Sequence, residues 1–190
     1  MIRSTLAGLA LCCFGALAQA TTFGIDQLMA ELARNPGGEA RFVEQRHIAL
    51  LDKPVIASGE MRYTAPDRLE KRTLLPKPET MVLDKDTLSL QRDRRTMSIQ
   101  LGQRPEVAAF VESIRSTLSG NRAALERNYK LALTGSADAW VLTLVPTEPR
   151  IATLLQRITL SGVREQVLGI EYLQADGDRT EMRIEPVKAP

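Results

Sequence analysis

Along this chain the apolar residues recur first at helical spacing and then at alternate positions. "FGIDQLMAELARNP" puts Ile25, Leu28, Met29 and Leu32 on one helical face, and Asn35-Pro36-Gly37-Gly38 stops the run. From Ala40 to Leu101 the pattern becomes short alternating stretches separated by Asp52-Lys53-Pro54, Ala65-Pro66-Asp67, Pro76-Lys77-Pro78 and Asp84-Lys85-Asp86, which predicts an antiparallel meander. Its clearest strands are 55–65, where Met61, Tyr63 and Ala65 alternate with Glu60, Arg62 and Thr64, then 87–91 and 96–101. Pro105 opens a second helix with Val107, Phe110, Val111, Ile114 and Leu118 in one stripe, ended by Ser119-Gly120. Alternation then returns in "YKLAL" and "WVLTL", joined by "TGSAD", and in "RITLSGV", "EQVLGIEYLQ" and "RTEMRIEP", with Asp176-Gly177 turning the last pair. Residues 149–156 fit a helical turn. The sum is an α+β domain of roughly ten short strands in one large antiparallel sheet with two amphipathic helices. A twisted sheet of that size curls or closes.

The N-terminus carries a different signal. Arg3 precedes the apolar run "LAGLALCCFGALA" and the triplet Ala18-Gln19-Ala20, the layout of a secretory signal peptide over residues 1–20. The mature part is then a single domain, residues 21–190, starting near Thr21 in the periplasm. Leu11 before Cys12 is bulky where a lipidation site wants a small residue, so the expectation is no lipid anchor. Cys12 and Cys13 both lie in the signal, which leaves burial rather than disulfides to hold the mature domain. Without Arg3 the charged residues are 24 basic against 23 acidic. So even a balance favours neither nucleic acid nor an anionic membrane surface. The run "QRDRR" contains Asp93 and no aromatic, and fits a solvated turn between strands.

Familiar reaction chemistry is missing. His47 is the only histidine, no cysteine remains after processing, and no G-x-S-x-G, H-E-x-x-H or Gly-rich phosphate loop occurs. His47 alternates with Val43, Gln45 and Ala49 and is expected to be structural. Asp176, Asp178 and Glu181 do not make an EF-hand, because Glu181 occupies the position where that loop requires glycine. No metal, no cofactor and no enzymatic activity are expected. Dispersed carboxylates could still assemble a glycosidase pair, although aromatics for sugar stacking are only 4% of the chain. The strand faces are mainly Leu, Met, Val and Ile, which suit acyl chains or a plain core equally.

The order of segments settles that tie. A helix, then "ARFVEQRHIALLDKPVIASGEMRYTAPDRLEKR", then "PETMVLDKDTLSLQRDRRTMSIQL", then a helix and further strands resembles the LolA family of periplasmic outer-membrane lipoprotein carriers. The shared features are the F-x-x-Q strand start at Phe42-Val43-Glu44-Gln45, a glycine in the next strand at Gly59 and a proline closing it at Pro66. The strand Met81-Val82-Leu83-Asp84-Lys85-Asp86 follows.

The resemblance implies an incomplete β-barrel with an α-helical lid over an apolar cavity that takes up acyl chains without covalent chemistry. Met61, Tyr63, Leu69, Met81, Leu83, Leu88, Leu90, Met97 and Ile99 would supply one wall, Leu131, Trp140 and Leu142 the other, and Val107, Phe110 and Ile114 the lid. The implied role is a monomeric shuttle, moving an acylated lipoprotein or other acyl-chain lipid from an inner-membrane exporter to an outer-membrane acceptor. A lipid-sensing regulatory module and a small hydrolase with dispersed carboxylates remain as alternatives. One departure stands out: where the family has an arginine before the strand-closing proline to latch the lid, this chain has Ala65. Arg68, just past the turn, is the candidate replacement.

Overall fold

A computed structural model describes residues 23–187. The proposed signal peptide and its cleavage site lie outside the described residues. The elements run α1 (Ile25–Leu32), β1 (Gly37–His47), β2 (Val55–Thr64), β3 (Arg68–Leu75), β4 (Glu79–Asp84), β5 (Thr87–Arg92) and β6 (Arg95–Gln100). A short 3-10 turn (Leu101–Gln103) leads to α2 (Pro105–Leu118) and α3 (Arg122–Glu126). Then come β7 (Tyr129–Ser136), β8 (Ala139–Pro146), α4 (Pro149–Ala152), β9 (Leu155–Val163), β10 (Gln166–Gln174) and β11 (Arg179–Pro186). All eleven strands form one antiparallel sheet in the order β6-β5-β4-β3-β2-β1-β11-β10-β9-β8-β7, with β6 and β7 left as free edges. The barrel is therefore unclosed. No described helix is long and apolar enough to cross a membrane.

Local chemistry accounts for the element ends. Gln27 caps α1 by accepting from the Gly24 N–H at 2.9 Å. Pro105 at the first position starts α2, and Gly120, with φ of +66°, ends it. Asn121 caps α3 by accepting from the Ala124 N–H at 3.1 Å. At the "ADGD" turn the Asp178 N–H donates to Asp176 Oδ1 at 3.0 Å, so those carboxylates serve the β10–β11 hairpin. The arginine run Arg92–Arg95 is the β5–β6 hairpin, with Arg92 paired to Glu79.

The two wings of the sheet are filled differently. On the β7–β11 side, Leu142, Leu144, Ile158 and Leu160 are fully buried beneath α1 and its neighbours, together with Leu28, Leu32 and Leu125. On the β2–β6 side only Leu83 is fully buried among the strand leucines, in a small second cluster with Leu101 and Val111. One half is a packed core and the other an open trough. Gly59 lies where the two wings meet. A Cβ there would come within 2.0 Å of the Arg72 carbonyl and 3.0 Å of the Phe42 ring, so only glycine lets β2 and β3 approach this closely at the bulge.

Candidate functional site: an apolar cavity under helix α2

α2 carries two faces of different size. Apart from Val111, which joins the second cluster, its buried residues are small: Ala109, Ser113, Ser116 and Thr117. They let the helix pack closely on α1, α3 and α4, with Ser113 and Thr117 donating back to helix carbonyls at 2.6 and 2.7 Å. The large stripe faces the trough, with Val107 and Ile114 half-buried and Phe110 exposed. This reverses the usual amphipathic arrangement. The space between that stripe and the sheet is a cavity of about 930 Å³, within the roughly 300–1,000 Å³ range of ligand sites.

The strand register shows how the wall is built. Tyr63, Leu69, Leu83 and Leu88 are direct partners across β2, β3, β4 and β5, so all four point to the same face. Met61 and Met81 flank Lys71 in the next row. All of these side chains line the cavity. The β9–β11 wing contributes Ile170, Met182 and Ile184, none of which the sequence pattern had separated from the core.

Six other sequence candidates stand elsewhere. Trp140 is 1% exposed, lies between its register partners Gly135 and Gly162, and donates its indole N–H to the Arg164 carbonyl at 2.9 Å. With Leu142, fully buried, and Leu131, packed against the same cluster, it belongs to the closed core. Leu90, Met97 and Ile99 share the concave face but sit on the edge hairpin outside the cavity, with Met97 54% exposed. Ala65 falls in the turn after β2. His47, half-buried at the end of β1, is outside the lining.

Arg68 does not latch the lid. It precedes Leu69, so strand alternation puts it on the convex face, where it pairs with Asp84 at 2.6 Å. The tie runs instead from the lid to the sheet. Arg115, near the C-terminal end of α2, donates through Nη1 to the Lys85 carbonyl in the β4–β5 turn at 2.8 Å and is held by Glu112 one turn earlier. Two aromatic contacts act further along the helix. The Phe110 ring lies 4.8 Å from that of Tyr172 on β10, and the Tyr129 hydroxyl donates to the Ala109 carbonyl at 3.2 Å. Burial pushes Tyr129 up to about 12, which keeps that donor protonated. Tyr172 is also shifted upward, by burial and then by the nearby Glu44 charge. Replacing Arg115 by Ala is expected to loosen the far end of α2 by about 1–2 kcal/mol, the scale of one charge-assisted bond at a partly exposed site. Faster amide hydrogen exchange confined to α2 is the readout, and unchanged exchange there would show that Arg115 is no tie.

A curled, unclosed sheet with a helix suspended over an aliphatic cavity defines a carrier fold for lipids or lipoproteins. The chain belongs to the LolA-like outer membrane lipoprotein carrier family, whose model matches residues 17–184. No curated protein sequence matches it. Among solved structures it is similar to a LolA superfamily protein from Nitrosomonas europaea, at 11% identity and a TM-score of 0.43 over 90% of this chain and 96% of that one. It is also similar to a putative outer membrane lipoprotein-sorting protein domain from Vibrio parahaemolyticus, at 10% identity and a TM-score of 0.43, covering 84% and 88% of the two chains. A third likeness is to a chain of the Pseudomonas aeruginosa MucA/MucB complex, at 17% identity and a TM-score of 0.41, over 87% of this chain and 58% of that one.

Proposed function

We propose that the protein is a periplasmic, monomeric carrier, non-enzymatic in action. It would take acyl chains of lipoproteins or related lipids into the cavity under α2 and pass them from an inner-membrane exporter to an outer-membrane acceptor. The observation that carries this reading is the cavity itself, about 930 Å³ between the half-buried face of α2 and an aliphatic wall. Leaving Met61, Leu88 and Ile114 short of full burial forgoes stability that a closed core would have supplied. An acyl chain recovers it at about 0.8 kcal/mol for each methylene buried. Ten methylenes give a gross gain of about 8 kcal/mol, from which the ordering of chain and lid is subtracted. Release then requires an acceptor that buries the chains at least as well.

Native mass spectrometry of protein exported to the periplasm tests the reading. Masses of one or more bound lipids on the mature chain are expected, together with uptake of a fluorescent fatty acid by the delipidated protein. The apo mass alone, with no uptake, removes the carrier reading.

A further inference from the structure

The cavity is not apolar throughout. Glu44 lies on the same face of β1 as Phe42, and its side chain is only 7% exposed. It accepts from Arg46 Nη2 at 3.3 Å and from Lys71 Nζ. Lys71 also places its ammonium 4.8 Å from the centre of the Phe42 ring. Arg46, Thr180 and Tyr172 are neighbours in register on β1, β11 and β10, so all three face the trough. Every one of these residues except Phe42 lines the cavity.

Such a cluster is costly in an apolar container. Desolvating Lys71 and Glu44 together returns little net stability, and a well-packed apolar pair would serve a core as well or better. The cluster is also unbalanced. Glu44 is engaged by both cations, whereas the ammonium and guanidinium carry further N–H groups, and Arg46 is half-exposed. Arg46 and Lys71 share one engaged carboxylate. Of the other carboxylates lining the cavity, Glu39 is paired with Arg62, Glu70 lies 4.0 Å from Arg68, Asp178 accepts from the Ala49 N–H and Glu106 stands on α2, so the positive surplus is local to Glu44. Resting on the carrier reading, we infer that Arg46 and Lys71, braced by Glu44, form a subsite for the anionic head group of an acyl-chain ligand, its phosphate or carboxylate oxygens. The chain would run from there past Met61 and Met81 toward Phe110. Tyr172 and Thr180 supply neutral hydroxyl donors beside it, and burial keeps the Tyr172 hydroxyl protonated.

Matched ligands test this. Dilauroyl phosphatidate against dilauroylglycerol isolates the phosphate, and laurate against lauryl alcohol isolates the carboxylate, each competing with a fluorescent acyl chain on the full mature protein. The anionic member of at least one pair is expected to bind tenfold or more tightly, with a preference that shrinks as salt rises. The pair that shows it identifies the head group. Arg46→Gln, at a half-exposed site, should reduce that preference severalfold, and the double replacement Glu44→Gln with Lys71→Gln should reduce it further without leaving a lone buried charge. Equal binding within both pairs overturns the subsite and leaves the carrier intact. A preference untouched in folded Arg46→Gln and in the double variant also overturns the assignment, whereas no binding of any of the four ligands removes carrier and subsite together.

Discussion

Ile114→Glu is expected to weaken acyl-chain binding by about ten- to a hundredfold while the protein stays folded. Ile114 sits on the half-buried face of α2 and lines the cavity. The helix is anchored mainly by its other side, through the buried Ser113, Ser116 and Thr117. Ile114, which touches the margin of the main core cluster, is itself only half-buried, so a charge there leaves most of that packing in place. It does put a carboxylate where a chain would lie. Losing the apolar contact of an isoleucine side chain is worth about 1.5–3 kcal/mol, and each 1.4 kcal/mol is a factor of ten in affinity. The control is Arg68→Ala, which removes a convex-face ion pair and should change binding less than twofold. Titration with a fluorescent fatty acid, with folding checked by circular dichroism, makes the comparison. A folded Ile114→Glu protein with normal affinity would mean that α2 does not cover the ligand.

Trp140→Ala should act on stability instead, lowering it by about 3–5 kcal/mol, as for large-to-small changes in closed cores. The indole is enclosed between Gly135 and Gly162, where a Cβ at residue 162 would lie 2.4 Å from the ring, so no neighbour can expand into the space. Its N–H bond to the Arg164 carbonyl is lost as well. Against a total of about 5–15 kcal/mol for a typical domain, that is a large fraction. Urea unfolding followed by far-ultraviolet dichroism gives the value. A loss below about 1 kcal/mol would place Trp140 at a yielding site rather than in a rigid core.

The contrast between these two residues marks what could be read from sequence. Strand alternation located both wings, and helical spacing located α1 and α2 closely, because both periodicities follow from burial on one side. Alternation could not separate wall from core: "WVLTL" and "MRYT" look alike, and only the placement of α1, α3 and α4 over β7–β11 closes the first and leaves the second open. The five-residue α3 is too short to show a period. Trp140 has a usable signal in Gly135 and Gly162, but it emerges only when the register is known. Lys71 and Glu44 follow Leu69 and Phe42 by two residues and thus share their faces. As charges in an otherwise apolar row, they pass for the solvated side. Arg115 resembles any exposed helical arginine, and the carbonyl it meets is 30 residues away.

The ladder between β1 and β11 differs in kind from every other in the sheet. Each of the rest joins strands consecutive in the chain, whereas this one pairs Ala40 with Pro186 and His47 with Arg179. Two meanders are thus stitched along one seam, and Glu44 and Arg46 lie on it. Folding follows from that layout. Hairpins within each meander close over short loops, while the seam must bring together residues from opposite ends of the described chain, a closure whose entropy is paid before its contacts form. Substitutions along β1 or β11 should therefore slow folding more than equally destabilising ones inside either meander. The trough that would hold a lipid comes into being only when that last seam zips.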